Sequence, residues 1–273
     1  MKLASNNSSL IMGIINVTPD SFSGDGVAFD FNAMDCLIQR HIDEGADILD
    51  VGGHSTRPGA NKVALLEEIN RVIPAIKHIK RHWPTIKLSV DTFQPQVMRL
   101  ALELGVDMIN DVKAFTVPGA LEVIRNSSSQ IIIMHMQGEP GFMQDDPKYN
   151  HVIDEVADFL AKRMRLIHEQ CHIPFENMWI DPGFGFGKRQ NDNFKLLANL
   201  DQLLDVHFNI CAGLSRKSMI GYALGDNDLP RHNATACANL LAWQKGARMF
   251  RVHDVQATKD AIMIAEQVAK GLM

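Results

Sequence analysis

The stretch Met178-Trp179-Ile180-Asp181-Pro182-Gly183-Phe184-Gly185-Phe186-Gly187-Lys188 decides how the rest of the chain is read: an apolar run stops at a carboxylate, and a glycine-rich loop follows at once. A short apolar run that ends this way is a buried strand delivering a polar group to a site. Asp181-Pro182-Gly183 alone would be ordinary turn chemistry. The three glycines alternating with two aromatics add more, because backbone without side chains can come close to a flat ligand while Phe184 and Phe186 offer it ring faces. The loop is not a P-loop, since Lys188-Arg189 stands where Gly-Lys is required and no Ser or Thr follows. Nor do Gly183, Gly185 and Gly187 have the spacing of the dinucleotide fingerprint.

The same unit, an apolar run followed by a segment of helical period, recurs along the chain in both directions. Strands are expected at Leu10 to Asn16, Ile48 to Gly52, Lys87 to Asp91, Asp107 to Asn110, Ile131 to His135, Met178 to Asp181, Asn209 to Gly213 and Arg248 to His253. Helical stretches are expected at 33–45, 64–82, 95–104, 118–126, 151–171, 192–204, 216–224, 233–245 and 255–270. No Pro/Gly/Ser linker or low-complexity tract interrupts the alternation, so residues 1–273 read as one domain, with 1–9 a short polar N-terminal extension. Repeated strand-then-helix units with doubly apolar strands point to an α/β fold, a single (β/α)8 barrel of the TIM type. The rival, a doubly wound open sheet, would need fewer strands and usually a glycine fingerprint after the first, where Asn16-Val17-Thr18-Pro19 supplies none.

A parallel barrel brings every strand's C-terminal end to one mouth. The polar residues at those ends are Asn16, Asp50, Asp91, Asn110 with Asp111, His135, Asp181, Ser215-Arg216-Lys217, and Arg251 with His253 and Asp254. Each alone reads as a helix cap or turn former; together on one face they read as a site. Carboxylates beside carboxamides suit a heterocycle carrying both N–H donors and ring acceptors, whereas Arg, His and loop backbone suit a phosphate. Neither G-x-S-x-G nor a Cys–His signature occurs, so covalent catalysis is disfavoured, and Ser215 is the hydroxyl expected to be exposed. No HExxH or His-x-His pair occurs, and the metal consistent with Asn16 beside an anionic substrate is Mg²⁺. The loops Thr18 to Gly26, Gly52 to Asn61 and Gly183 to Lys188 are rich in small residues and are expected to be the moving parts.

Composition excludes several other classes. The 273 residues are 46% hydrophobic and 22% charged, which is ordinary globular material, and a net charge of -5 argues against a nucleic-acid partner. Cys36, Cys171, Cys211 and Cys237 lack zinc-site or redox spacing, which suits reduced thiols. The apolar run Leu10 to Ile15 is too short for a signal or a membrane span, so a cytoplasmic protein without membrane partner is expected.

The strings GIINVTPDSFS (13–23), DVGGHSTRPGA (50–60), SVDT (89–92), IND (109–111), MHMQG (134–138), DPGFGFGK (181–188), SRKSMIG (215–221) and RVHDV (251–255) together resemble the pterin-binding barrel enzymes, specifically the dihydropteroate synthases. The resemblance runs from about Leu10 to Val255. It implies a homodimeric transferase of folate biosynthesis and a sulfonamide target. Its reaction joins 4-aminobenzoate to 6-hydroxymethyl-7,8-dihydropterin diphosphate, giving 7,8-dihydropteroate and diphosphate. It also implies that Asp91, Asn110, Asp181 and Lys217 grip the pterin, and that Asn16 holds Mg²⁺, with the loop residue Asp25 approaching it. Thr56, Arg57, Arg251 and His253, with Asn16, would surround the diphosphate; Phe22, Pro58, Phe184, Lys217 and Ser218 would receive 4-aminobenzoate. Asp91, Lys217, Arg251 and His253 are the implied catalytic groups.

Four positions depart from the family pattern. Ser23-Gly24-Asp25-Gly26 replaces Ser-Asp-Gly-Gly and displaces the loop aspartate by one; His54 stands for Glu, Phe93-Gln94 for Ser-Lys, and Ala234 for Gly. Two alternative functions follow. One is a catalytically silent pterin-binding paralogue, motivated by Asp25 and His54. The other is a methyltetrahydrofolate methyltransferase, disfavoured by the retained first loop and the STRPG and RVH strings.

Overall fold

The computed structural model describes residues 8–18, 31–54, 63–139, 141–226 and 229–271. Eight parallel strands form one sheet in the order β6-β5-β4-β3-β2-β1-β8-β7: β1 Leu10–Asn16, β2 Ile48–Gly52, β3 Lys87–Asp91, β4 Met108–Asp111, β5 Gln130–Met134, β6 Met178–Asp181, β7 Cys211–Ala212 and β8 Met249–Val252. A parallel bridge between Ile180 and Ile210, with Ile180 N–H donating to Asn209 O at 2.9 Å, joins the two ends and closes the barrel. β7 is the one strand much shorter than expected. Before it Asn209 O accepts Ile180 N–H and Ile210 O accepts the N–H groups of Arg248 and Met249, but the ladder itself runs only over Cys211–Ala212, leaving Asn209 and Gly213 outside it.

The described helices are α1 Phe31–Asp43, α2 Leu65–His82, α3 Pro95–Glu103, α4 Ala120–Ile124, α5 Val152–Cys171, α6 Gln190–Ala198, α7 Ser218–Leu224, α8 His232–Gln244 and α9 Val255–Gly271. Each lays an apolar stripe on the sheet; α5 buries Val152, Val156, Leu160, Met164, Ile167 and Cys171, one residue per turn. Each such side chain contributes about 1.5–3 kcal/mol by leaving water. The segment expected as one helix over 192–204 is two. α6 stops at Asn199, and a short 3₁₀ turn, Leu200–Asp205, follows with its own buried Leu200 and Leu203. α7 starts two residues later than expected because Arg216 takes the left-handed conformation, φ 57°, which no helix admits.

Strand alternation explains where the site lies. Met12, Ile48, Met108, Ile132, Trp179, Cys211 and Met249 form one buried cluster, the plug inside the barrel. Side chains repeat on a face every second residue, so the next layer toward the C-terminal ends is Ile14, Asp50, Asn110, Met134, Asp181, Gly213 and Arg251. One further step gives Asn16, Gly52, Val112, Met136, Ser215 and His253. An apolar plug, a polar floor and a mixed mouth follow directly from the period of two. Gly213 leaves space that a Cβ would close, since it would come within 3.4 Å of Asp181 Oδ2.

Candidate active site

The floor is an ion-pair array of unlike groups. Arg251 Nε donates to Asp50 Oδ2 at 2.6 Å, Arg251 Nη2 donates to Asp91 Oδ2 at 2.7 Å, and Asn110 Nδ2 donates to Asp50 Oδ2 at 3.1 Å. Two buried carboxylates thus share one guanidinium, and Asp50 Oδ1 has no partner among the described residues. Burial pushes the Asp91 carboxyl up to about 7; Arg251 opposes the rise, Asp50 and Glu68 add to it, and Lys217 opposes it more weakly. Asp181, across the floor, accepts the Gly183 N–H at Oδ1, 2.7 Å away, and burial raises its pKa against that bond and the charges of Lys217, Lys188 and Arg251.

Above the floor, Lys217 Nζ lies 4.1 Å from the centroid of the Phe186 ring, and burial lowers the amine to about 8 while Asp181 and Asp91 hold it up. Left-handed Arg216 reverses the chain between Ser215 and Lys217, so Ser215 turns to His253 and Lys217 to the mouth. The Arg216 guanidinium itself pairs outside with Asp254 at 2.7 Å. The His253 backbone N–H donates to Ser215 Oγ at 3.1 Å, and the same hydroxyl lies 2.9 Å from His253 Nδ1, so Ser215 and the imidazole are hydrogen-bonded to each other.

The expected residues sort as follows. Asp91, Asn110, Asp181, Lys217 and Arg251 come together at one end of the barrel, with Asn16 half-buried at the same end and His253 one layer above Arg251. Ser218 is exposed as the first residue of α7, with Gln190 Nε2 3.4 Å from its hydroxyl. Phe22, Asp25, Thr56, Arg57 and Pro58 lie outside the described residues.

Two expectations, those for Phe184 and Ser215, need correction. Phe184 is fully buried in the core between sheet and helices and cannot face a ligand; Phe186, beside Lys217 and clustered with Val112, Met134 and Met143, is the ring at the mouth. Arg251, implied on the diphosphate, turns Nε and Nη2 inward to two buried carboxylates. Ser215 is buried, with its hydroxyl spent on His253.

Other strand-end groups are spent on structure. Asp111 accepts Lys113 N–H and Phe115 N–H, both at 2.7 Å, which holds Ala114 and Phe115 at φ 52° and 59°; burial pushes it up to about 7. His135 is buried and lowered to about 3 by burial and by Lys188.

Four groups escaped the sequence reading. Asp50 was visible as a strand end, but nothing in the sequence said that it would pair with a residue two hundred positions on. Lys188 stood only as the end of the glycine loop and Glu68 only within an expected helix, and both are buried. Glu68, on the first turn of α2, accepts the Thr92 hydroxyl at 2.5 Å directly after Asp91, and burial raises its pKa. His54 and Phe93, both departures from the family pattern, touch edge to face with centroids 5.2 Å apart, and Lys113 Nζ sits 4.7 Å from the Phe93 centroid.

Comparison with known proteins agrees with this geometry. A family model described as pterin binding enzyme matches residues 12–253. The dihydropteroate synthase of Haemophilus influenzae is 41% identical over 280 residues, covering 99% of this chain and all of its own. The dihydropteroate synthase of Xanthomonas albilineans, solved with 4-aminobenzoic acid, superposes with a TM-score of 0.88 at 44% identity, covering 96% of this chain and 94% of that one. That of Burkholderia cenocepacia, complexed with 7,8-dihydropteroate, gives 0.85 at 41% identity, covering 97% and 92%. With a polar floor built on the same barrel and similarity running the length of both chains, the chain belongs to the pterin-binding enzymes, and within them to the dihydropteroate synthases.

Proposed function

We propose that this barrel mouth joins 4-aminobenzoate to 6-hydroxymethyl-7,8-dihydropterin diphosphate. The observation that carries this reading is the floor itself: Asp50, Arg251 and Asp91 in one array, with Asn110 and Asp181 at the same level. Ionised carboxylates only accept, a guanidinium only donates and a carboxamide does both, which matches the mixed edge of a pterin ring. Asp91, Asn110 and Asp181 would take that edge. Lys217 would reach it from above, and Arg251 would offer the ring a planar cation already neutralised from below. The phosphate end would fall to His253, with Asn16, Thr56 and Arg57. Phe186, Lys217 and Ser218, with Phe22 and Pro58, would receive 4-aminobenzoate, and sulfonamides of like shape and charge would compete there.

In the reaction the arylamine nitrogen forms a C–N bond to the pterin CH₂ while the C–O bond to diphosphate breaks, its electron pair leaving with the diphosphate. An arylamine attacks as the neutral species and loses its proton to water afterwards, so no residue is needed as a general base. The chain's contribution is positioning, together with charge placed where charge develops: His253 toward the leaving group, Asp91 and Asp181 toward a pterin that becomes electron-poor. Mg²⁺ fits the donor set. Mg²⁺ characteristically takes one or two protein oxygens plus phosphate and water, and Asn16 stands half-buried at the mouth where a diphosphate would lie. Asn16, with Asp25 from the first loop, would hold it, and its charge when bound would offset that of the departing diphosphate.

We also read α8 and α9 as the contact between two copies. They lie side by side, and Leu241, Met263, Ile264 and Val268 are each more than half exposed, whereas Trp243 and Ile262 pack inward. No described helix is long and apolar enough to cross a membrane.

A coupled assay of diphosphate release tests the reaction. Release that requires 4-aminobenzoate and matches dihydropteroate formed is expected. Pterin binding without any release would instead fit the silent pterin-binding alternative.

A further inference from the structure

Lys188 is only 2% exposed, and its amine lies under the glycine loop among four acceptors: Gly183 O at 2.9 Å, His135 Nδ1 at 3.0 Å, Phe186 O at 3.1 Å and His135 O at 3.4 Å. An ammonium has three protons and no lone pair, so such a ring of oxygens and one neutral imidazole nitrogen fits the charged form. The loop closed around it has no slack. A Cβ on Gly183, φ 70°, would lie 1.9 Å from His135 O, and one on Gly187, φ 58°, would lie 2.0 Å from Gln137 O. Tyr149 Oη donates to Gly187 O at 2.8 Å and Asn193 Oδ1 accepts Gly185 N–H at 2.7 Å, which pins the outer side. Two parts of the site depend on this loop: Gly183 N–H bonds Asp181, and Phe186 lies against Lys217.

We propose that Lys188 is a positioning residue of the reaction, gathering loop 183–187 so that Asp181 is aimed at the pterin and Phe186 with Lys217 at the arylamine. The inference rests on the substrate assignments above. The groups facing Lys188 are His135 after β5, Asp181 on β6, Asp192 on α6 and Lys217 before α7; burial lowers the amine to about 7, with Asp181 opposing, Lys217 adding and Asp192 opposing weakly. Reciprocally, its charge favours the ionised form of Asp181, together with Lys217, Arg251 and the Gly183 N–H.

Lys188→Met keeps the apolar stem and removes both charge and donors. Calorimetric binding of the pterin diphosphate from pH 5 to 9 and steady-state kinetics for each substrate are measured beside a thermal melt. The expected result is a folded protein whose acid limb of pterin binding moves to higher pH, because Asp181 has lost a cation. The KM for 4-aminobenzoate should rise on the order of tenfold to a hundredfold, as small misplacements in a site do. Phe186→Leu should raise the arylamine KM alone and leave the pterin limb where it is. Lys188→Gln retains two N–H donors without charge and keeps the test available if the methionine variant does not fold: its limb should shift in the same direction. A folded Lys188→Met with wild-type limb and wild-type arylamine KM, or a Lys188→Gln with an unshifted limb, overturns the proposal. Wild-type protein that binds no pterin diphosphate would instead overturn the substrate assignment beneath it.

Discussion

Asp91 holds a carboxyl pushed up to about 7 by burial while it shares Arg251 with Asp50. Its raised pKa gives a signed expectation. Below about 7 the group takes a proton, loses its charge and turns one oxygen into a donor, so it complements a pterin N–H less well; above 7 it is ionised and grips. Pterin affinity should therefore fall as pH drops from 8 to 6, and Asp91→Asn should flatten that part of the profile while weakening binding throughout. A wild-type affinity constant over this range would show that Asp91 keeps its charge or does not touch the ring. The same shift has the opposite consequence for folding. A carboxylate whose folded pKa exceeds its unfolded value costs stability as pH rises from about 4 through 7, so Asp91 destabilises the fold over that window. Residue identity at this scale was largely legible. Asp91, Asn110, Asp181 and Lys217 could be picked because each ends an apolar run or follows one. Phe184 and Phe186 could not be ranked, since a loop of alternating Gly and Phe carries no signal for which ring turns inward.

Among the elements, the three loops after β1, β2 and β6 divide the work unequally. The loop after β6, expected to be one of the moving parts, is instead tied down by hydrogen bonds to Lys188, Asn193 and Tyr149. The loops after β1 and β2 carry Asp25, Thr56, Arg57 and Pro58, and α2, which follows the second, is tied to the site through Glu68 on Thr92 and through Arg71 Nη1 donating to Gly53 O at 3.1 Å. If the first loop closes over the diphosphate, the glycines flanking Asp25 let its backbone re-aim the displaced carboxylate. Asp25→Ala should then lower kcat with little change in pterin diphosphate affinity, whereas Asn16→Ala should weaken Mg²⁺-dependent binding of the diphosphate as well. Steady-state kinetics of both variants across a Mg²⁺ titration separate the two, and a fully active Asp25→Ala would leave that loop carboxylate without a role. Strand positions were legible within a residue or so for seven of the strands because buried parallel strands are short, apolar and sharply bounded. β7 was overread, since its apolar flanks look like strand but lie outside the ladder.

For the whole molecule, the period-two pattern of the strands converts eight scattered sequence positions into an apolar plug, a charged floor and an open mouth, and the fold was readable on that account. Partnerships between distant residues were not: that Arg251 would serve Asp50 and Asp91, or that Lys188 would be buried, follows from closure of the ring, which no local pattern encodes. The exposed apolar side chains of α8 and α9 lead to a second whole-molecule expectation. Sedimentation at micromolar concentration should return twice the 30.4 kDa chain mass, and Ile264→Glu should shift the population toward a single chain. A wild-type mass near one chain would count against the dimer. The central claim, that the floor carboxylates hold the pterin, is tested most directly by titrating the pterin diphosphate calorimetrically into the wild type and into Asp181→Asn, with circular dichroism to confirm an intact fold. A buried hydrogen bond to a charged group contributes about 1.5–3 kcal/mol, so affinity should fall by about 10- to 150-fold. Unchanged affinity in a folded Asp181→Asn protein would contradict the account.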